Sequence, residues 1–318
     1  MKRYNCIDIL RGFCMIWIVW YHTNHPQFVD YPFFNATLFF VSGILFKEYP
    51  WKLFLKKKFN QLLVPFCFFY IIYYFFLVAL NYAKYHYVSD DILYSIFGVF
   101  GLYTYNEAFI VNYPLWFILA LIIIQSISNC LLKIIKSRHL LFALSVVISC
   151  IGYYYVQSIP TPFMLGRSLP FLVYFLSGFC YGKLMLERRY NPYCVFGLVF
   201  IWGILYISQN LILSESFLLI HYGEILVLAF ILLSVSKMIS LSKIARPFLF
   251  FGINSIVLFG MHDMILTILR IVLLNVYGEM NIFLGILSVI ITLCIVWPIT
   301  VLLNKYAPVF IGKRNLIR

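Results

Sequence analysis

Charge is scarce in this chain. Only 11% of its 318 residues are Asp, Glu, Lys or Arg, and 64% are hydrophobic. An ordinary soluble domain is about a quarter charged and about half apolar. With a mean hydropathy of +0.94, a soluble enzyme is excluded and a polytopic membrane protein is indicated. Acidic residues are scarcer still, 11 against 24 basic ones, for a net charge of +13. That balance invites a nucleic-acid partner. The basic residues are segregated by loop, however, so the charge reads as topology and membrane-surface attraction, with membrane lipids and no nucleic acid as partners. Eight cysteines occur without a C-x-x-C pair, so neither a disulfide framework nor a metal site is implied. A Ser-His-Asp order, a Walker loop, a zinc spacing and a Rossmann glycine pattern are all missing from any usable context. No small-x-small cleavage site follows M-K-R-Y-N, and the first apolar run contains Asp8 and Arg11, so that run is expected to be retained.

What the chain does have is long apolar runs. A helix needs about 20 such residues to cross a bilayer. Ten spans are expected: 7–22, 33–46, 62–82, 115–132, 140–156, 169–186, 192–209, 217–236, 248–276 and 282–305. The second is short, and 88–111 reads as an interfacial or re-entrant piece on the outer side. Alternate loops hold Lys2 and Arg3; Lys47, Lys52, Lys56, Lys57 and Lys58; Lys133, Lys136 and Arg138; Lys183, Arg188 and Arg189; Lys237, Lys243 and Arg246; and Lys305, Lys313, Arg314 and Arg318. These are 20 of the 24 basic residues, and the other loops hold only Lys84 and Arg167. By the positive-inside rule the basic loops are cytoplasmic and both termini lie inside. The expected fold is an all-α integral membrane protein, a bundle of about ten transmembrane helices. It forms one unit over 1–318 with no appended soluble domain.

The first run, D-I-L-R-G-F-C-M-I-W-I-V-W-Y-H, carries Arg11 near its start and His22 at its end. Eleven residues are three helical turns plus about 20°, so both side chains share one face, about 16 Å apart along the axis. Ionisable groups inside a spanning helix mark a functional site by default; the competing reading is a signal-anchor helix with a snorkelling arginine. In the ninth run His262 is expected at a depth like that of His22, with Asp263 and Arg270 nearby, either as a cavity wall or as an interhelical packing cluster. The Lys56–Lys58 cluster suits phosphate, or simply anionic lipid. Trp116 sits in an aromatic boundary patch, and Arg167 breaks the charge rule in an outer loop, which suits an acidic partner or substrate. One internal similarity appears: residues 33–47 and 168–183 both end in a Ser-Gly step followed by a lysine.

These pieces, in order, resemble the acyltransferase 3 family of membrane acyltransferases. The opening Arg…His helix looks like the family's first. L-F-F-V-S-G-I-L-F, K-K-K-F-N-Q-L-L-V-P-F, P-L-W-F-I-L-A-L, G-R-S-L-P-F-L-V-Y-F-L-S-G and F-G-I-N-S-I-V-L-F-G-M-H resemble its later segments. Where the family commonly has Arg-x-x-Arg at the third helix, this chain has Lys58 and Gln61. The resemblance implies transfer of an acyl group, most often acetyl, from cytoplasmic acetyl-CoA or a related acyl-CoA to a carbohydrate hydroxyl, on a glycan or lipid-linked sugar, with no metal. It also implies a multi-pass protein of the bacterial cytoplasmic membrane. His22 and Arg11 are then the catalytic candidates. Arg11, Lys57 and Lys58 are candidates for the CoA phosphates. Asp8, Trp116, Arg167, Asn254, Ser255 and His262 are candidates for substrate binding. A flippase or exporter of lipid-linked glycan, and a non-catalytic subunit of a polysaccharide synthase, are the alternative readings.

Overall fold

The structure, a computed structural model, describes residues 4–23, 33–100, 113–159, 161–187, 192–211 and 217–317. Among them, eleven helices carry the architecture: α1 Asn5–Tyr21, α2 Phe33–Ile44, α3 Trp51–Tyr85, α4 Trp116–Ile134, α5 Arg138–Val156, α6 Leu165–Glu187, α7 Pro192–Leu211, α8 Phe217–Ile239, α9 Ala245–Ile253, α10 Ser255–Tyr277 and α11 Ile282–Tyr306. An apolar chain in hydrocarbon must satisfy its backbone polar groups within the segment, which only a helix does for a single run. The surface agrees: Phe75, Phe196, Phe200 and Phe283 stand on the outside of the bundle. Inside lie Phe39, Phe40, Phe54, Phe66, Phe69, Tyr70 and Phe175.

Seven helices among the described residues are long and apolar enough to cross a membrane: α3, α4, α5, α6, α8, α10 and α11. The expected count of ten includes three segments that are shorter. α1 has 17 residues, α2 has 12, and the apolar helix within α7 is Tyr193–Ser208. Twelve residues rise only about 18 Å, short of the roughly 30 Å hydrocarbon core. The expected span over 248–276 is also two helices. They break at Asn254 (φ −112°, ψ 24°), whose Nδ2 donates to the Phe250 carbonyl that its own backbone N–H also reaches. Asparagine competes with the helix ladder in this way. Of the expected re-entrant piece, Asp90–Tyr94 is a short helix followed by a 3-10 stretch, Ser95–Phe100; 101–112 lies outside the described residues, as do Lys2, Arg3, Arg188, Arg189 and Arg318.

Two backbone crossings lock the bundle. A Cβ added to Gly12 would run into the Phe248 carbonyl, and one added to Gly252 into the Asp8 carbonyl, so α1 and α9 touch main chain to main chain. In the same way Gly43 meets the Phe175 carbonyl and Gly178 the Phe40 carbonyl, joining α2 to α6. The two Ser-Gly segments that look alike in sequence are thus each other's packing partners, the close approach that small residues permit. Two buried polar side chains tie helices to backbone elsewhere in the chain. Asn129 of α4 accepts from the Tyr49 backbone N–H at 3.0 Å and donates to the Tyr49 carbonyl at 3.1 Å. Ser149 of α5 donates to the Leu169 carbonyl and accepts from the Val173 N–H, beside Pro170 in α6.

Candidate functional site

The α1–α9 crossing decides where Arg11 goes. With Gly12 pressed on α9, the neighbouring Arg11 side chain reaches the α9–α10 break. Its Nη2 donates to Ser255 Oγ at 2.9 Å. Its Nη1 lies 3.6 Å from Asp8 Oδ1, one turn back on α1. This pair orients a guanidinium that remains about one-third exposed. It faces a cavity of about 320 Å³ between α1, α2, α3, α4 and α10. Met15 (one turn beyond Arg11), Ser42, Gln61, Phe117 and Phe259 line the walls, and Ile311, Gly312 and Lys313 of the C-terminal tail close one side.

At the far end of α1, His22 caps the helix. Its backbone N–H still reaches the Ile18 carbonyl at 3.1 Å, so the helical phase from Arg11 is kept. Its own carbonyl accepts from Arg270 Nη2 at 3.1 Å, a cation at a helix C-terminus. Arg270 therefore holds α1 against α10 through the backbone. The His22 ring lies beside that of His262, centroids 5.4 Å apart. His262 is fully buried, and its Nδ1 is 3.0 Å from the Leu258 carbonyl and 2.9 Å from the Phe259 carbonyl. Carbonyls only accept, so Nδ1 must carry the proton; a neutral ring then has its lone pair on Nε2. Asp263, the next residue, is turned away to accept from Tyr73 Oη at 2.8 Å. Neither histidine lines the Arg11 cavity directly. Phe259, whose ring lies 6.0 Å from that of His262, connects the two.

A second cavity, of about 280 Å³, holds Arg167 together with Tyr153, Gln157, Tyr174, His221 and Tyr222. The Arg167 guanidinium lies 4.7 Å over the Trp116 ring, a cation–π contact. Phe39, its ring tilted against Phe117 at 4.6 Å and Phe171 at 5.0 Å, links the walls of the two cavities. The expected residues thus fall into three groups. Asp8, Arg11 and Ser255 meet at one cavity, with Asn254 beside Ser255 and bonded to the cavity residue Lys313; His22 and His262 meet at the other end of α1; Trp116 and Arg167 meet at the second cavity. Lys57 and Lys58 join none of them. Lys57 Nζ sits 3.7 Å over the Tyr49 ring, while Lys58 lies over Phe46 and Phe54 and borders a separate apolar groove. His221 with Glu224, 3.9 Å apart on α8, was not among the expected site residues, and Lys313 was expected only as cytoplasmic basic charge. A buried glutamate inside an apolar run was the available signal for the first. Among the described residues no group of three or more His, Cys, Asp or Glu is placed to hold a metal.

Comparison with known proteins bears on the whole chain. A family model described as an acyltransferase domain, the acyltransferase 3 family, matches residues 4–301. No curated protein matches, and no solved structure does.

Proposed function

The chain belongs to this acyltransferase family, and from that premise we propose that it moves an acyl group, most simply acetyl, from cytoplasmic acyl-CoA to a hydroxyl of a cell-surface or lipid-linked carbohydrate. One observation carries the reading: α1 presents a guanidinium at one end and an imidazole at the other, on one face, with a cavity running from Arg11 past Met15 toward Phe259. In this reading the guanidinium holds CoA phosphate, as a charge-assisted pair suits. The pantetheine arm follows the cavity and brings the thioester toward His22. The imidazole of His22 takes the proton of the sugar hydroxyl as that oxygen attacks the thioester carbonyl, and the CoA thiolate leaves. His262, its tautomer fixed by two carbonyls, keeps a lone pair beside His22 and helps to place it. The Arg167–Trp116 pair and the tyrosines of the second cavity supply the flat apolar faces and polar edges that a sugar ring requires.

The test is transfer of labelled acetyl from acetyl-CoA to surface glycan, in membranes matched for protein level. Loss of a general base costs about 10²–10⁴-fold in rate, so His22→Ala is expected to fall near background. His22→Gln keeps hydrogen bonding but cannot accept the proton, and it should fall equally. Parental activity in His22→Gln removes the base assignment and favours a glycan exporter.

A further inference from the structure

We infer that the C-terminal tail is part of the donor site, and that Lys313 is a second phosphate-binding cation beside Arg11. This rests on the acyl-CoA reading above and names a residue and an element that the reading does not use.

The tail is placed from a distance of 257 positions in the chain. The Asn60 side chain, buried in α3, accepts from the backbone N–H groups of Leu316 and Ile317 and donates to the Ile317 carbonyl. An amide that matches three main-chain groups satisfies backbone that no helix or strand partner serves, and so holds the segment in place. Gly312, at φ +72°, lies so close to α3 that an added Cβ would come within 2.9 Å of the Gln61 carbonyl. Only glycine accepts both that φ and that approach. The tail is therefore seated on the wall of the Arg11 cavity. Ile311 is buried there, and Lys313 extends to the rim, where its Nζ is 2.6 Å from Asn254 Oδ1. Asn304 Nδ2 donates to the same oxygen at 2.9 Å, aligning the amide that receives the lysine.

Arg11 and Lys313 thus line one cavity, with the Ser255 end of α10 on it too. A helix N-terminus favours anions, but the C-terminal end of α9 abuts it and opposes that dipole, so the inference rests on the two side chains. Asp8 offsets part of the Arg11 charge from behind. A fork and a flexible ammonium on one cavity suit a ligand bearing several phosphates, since the fork fixes one group and the ammonium follows another. Acyl-CoA has that form, with its apolar arm directed inward.

The experiment measures acetyl-CoA affinity of the full-length protein in lipid nanodiscs. Lys313→Ala should weaken binding on the order of tenfold, as for loss of one charge-assisted hydrogen bond near solvent. Lys313→Gln keeps a donor for Asn254 but no charge and should lose as much, while Lys313→Arg should retain most of the affinity. Turnover of S-acetyl-pantetheine, which has no phosphate, should be the same in all three variants and the parent. Parental acetyl-CoA affinity in Lys313→Gln, or an equal loss with S-acetyl-pantetheine, reduces Lys313 to a tail anchor and overturns the inference while leaving the donor reading intact. If the parental protein itself binds no acetyl-CoA, the donor reading fails and takes this inference with it.

Discussion

Arg11 is held from two sides before any ligand arrives, by Asp8 one turn below and by Ser255 across the helix break. That preorganisation gives a ranked prediction. Arg11→Ala should weaken acyl-CoA binding about 10–100-fold, the usual cost of a charge-assisted contact. Arg11→Lys should recover part of it, because a point charge replaces a fork. Ser255→Ala, which only frees the guanidinium to wander, should cost less than about tenfold. Titration calorimetry on the purified variants would rank them; equal affinity across the series would make Arg11 a structural residue. That Arg11 and His22 lie three turns apart on α1, and that His22 and His262 come level, was legible in the sequence, because both follow from counting along a helix. The fate of Lys57 and Lys58 was not. Three consecutive lysines sample every side of a helix, and which side faces the cavity depends on packing: Lys57 is drawn to Tyr49 and Lys58 to Phe46 and Phe54. Lys313 was legible as a basic tail residue, but its place at the Arg11 cavity was not, for a related reason. Its place is set by Asn60, and a contact across 257 positions leaves no local pattern.

At the scale of helices, the glycine crossings carry the site. α1 and α9 meet where Gly12 faces Phe248 and Gly252 faces Asp8, and this contact sets the distance between Arg11 and Ser255. Backbone atoms cannot step aside as a flexible side chain can. Gly252→Val should therefore sit at the upper end of the roughly 1–3 kcal/mol typical of overpacking, or beyond it. Gly43→Val should do the same between α2 and α6. Gly203 has open space around its Cβ position, and Gly203→Ala should be harmless. Recovery of monodisperse protein from detergent, and its apparent melting temperature, would separate these cases; a Gly252→Val protein as stable as Gly203→Ala would mean that the helices are further apart than they stand here. The two Ser-Gly steps were visible in sequence, but that they pair with each other was not. The break at Asn254 was missed because hydropathy runs unbroken through F-G-I-N-S-I-V, and a single asparagine scarcely lowers a 20-residue average.

For the whole molecule, the question is how many times the chain crosses. Seven helices suffice by length and composition, yet seven crossings would put the start of α1 and the tail on opposite sides. Arg11 and Lys313 line one cavity, so those two segments lie at the same end of the bundle. The basic loops meet there as well: Lys136 lies 3.9 Å from Glu48, Lys133 lies 5.0 Å over Trp51, and Lys237 donates to the Leu186 carbonyl at 2.7 Å. At the opposite end His22 meets Arg270, and Trp116 meets Arg167. α1 runs from the Arg11 end to the His22–Arg270 contact, and α8 brings Lys237 back beside Leu186 at the end of α6. That route predicts that the three shorter helices cross too, with α9 and α10 sharing one passage, for ten crossings where length and composition alone give seven. A short helix can do so at modest cost where the bilayer thins or protein surrounds it, and α2 is buried along most of its length. The 20-to-2 division of loop lysine and arginine predicts that the basic end is the cytoplasmic one. Reporter fusions test this directly. A fusion at Lys133 should report the cytoplasm and one at Lys84 the outside, with the C-terminus reporting the same side as Lys133. If Lys84 and Lys133 report one side, the route through α3 and α4 is wrong. If the C-terminus reports the side of Lys84, the chain crosses an odd number of times, and the tail cannot share a cavity with Arg11.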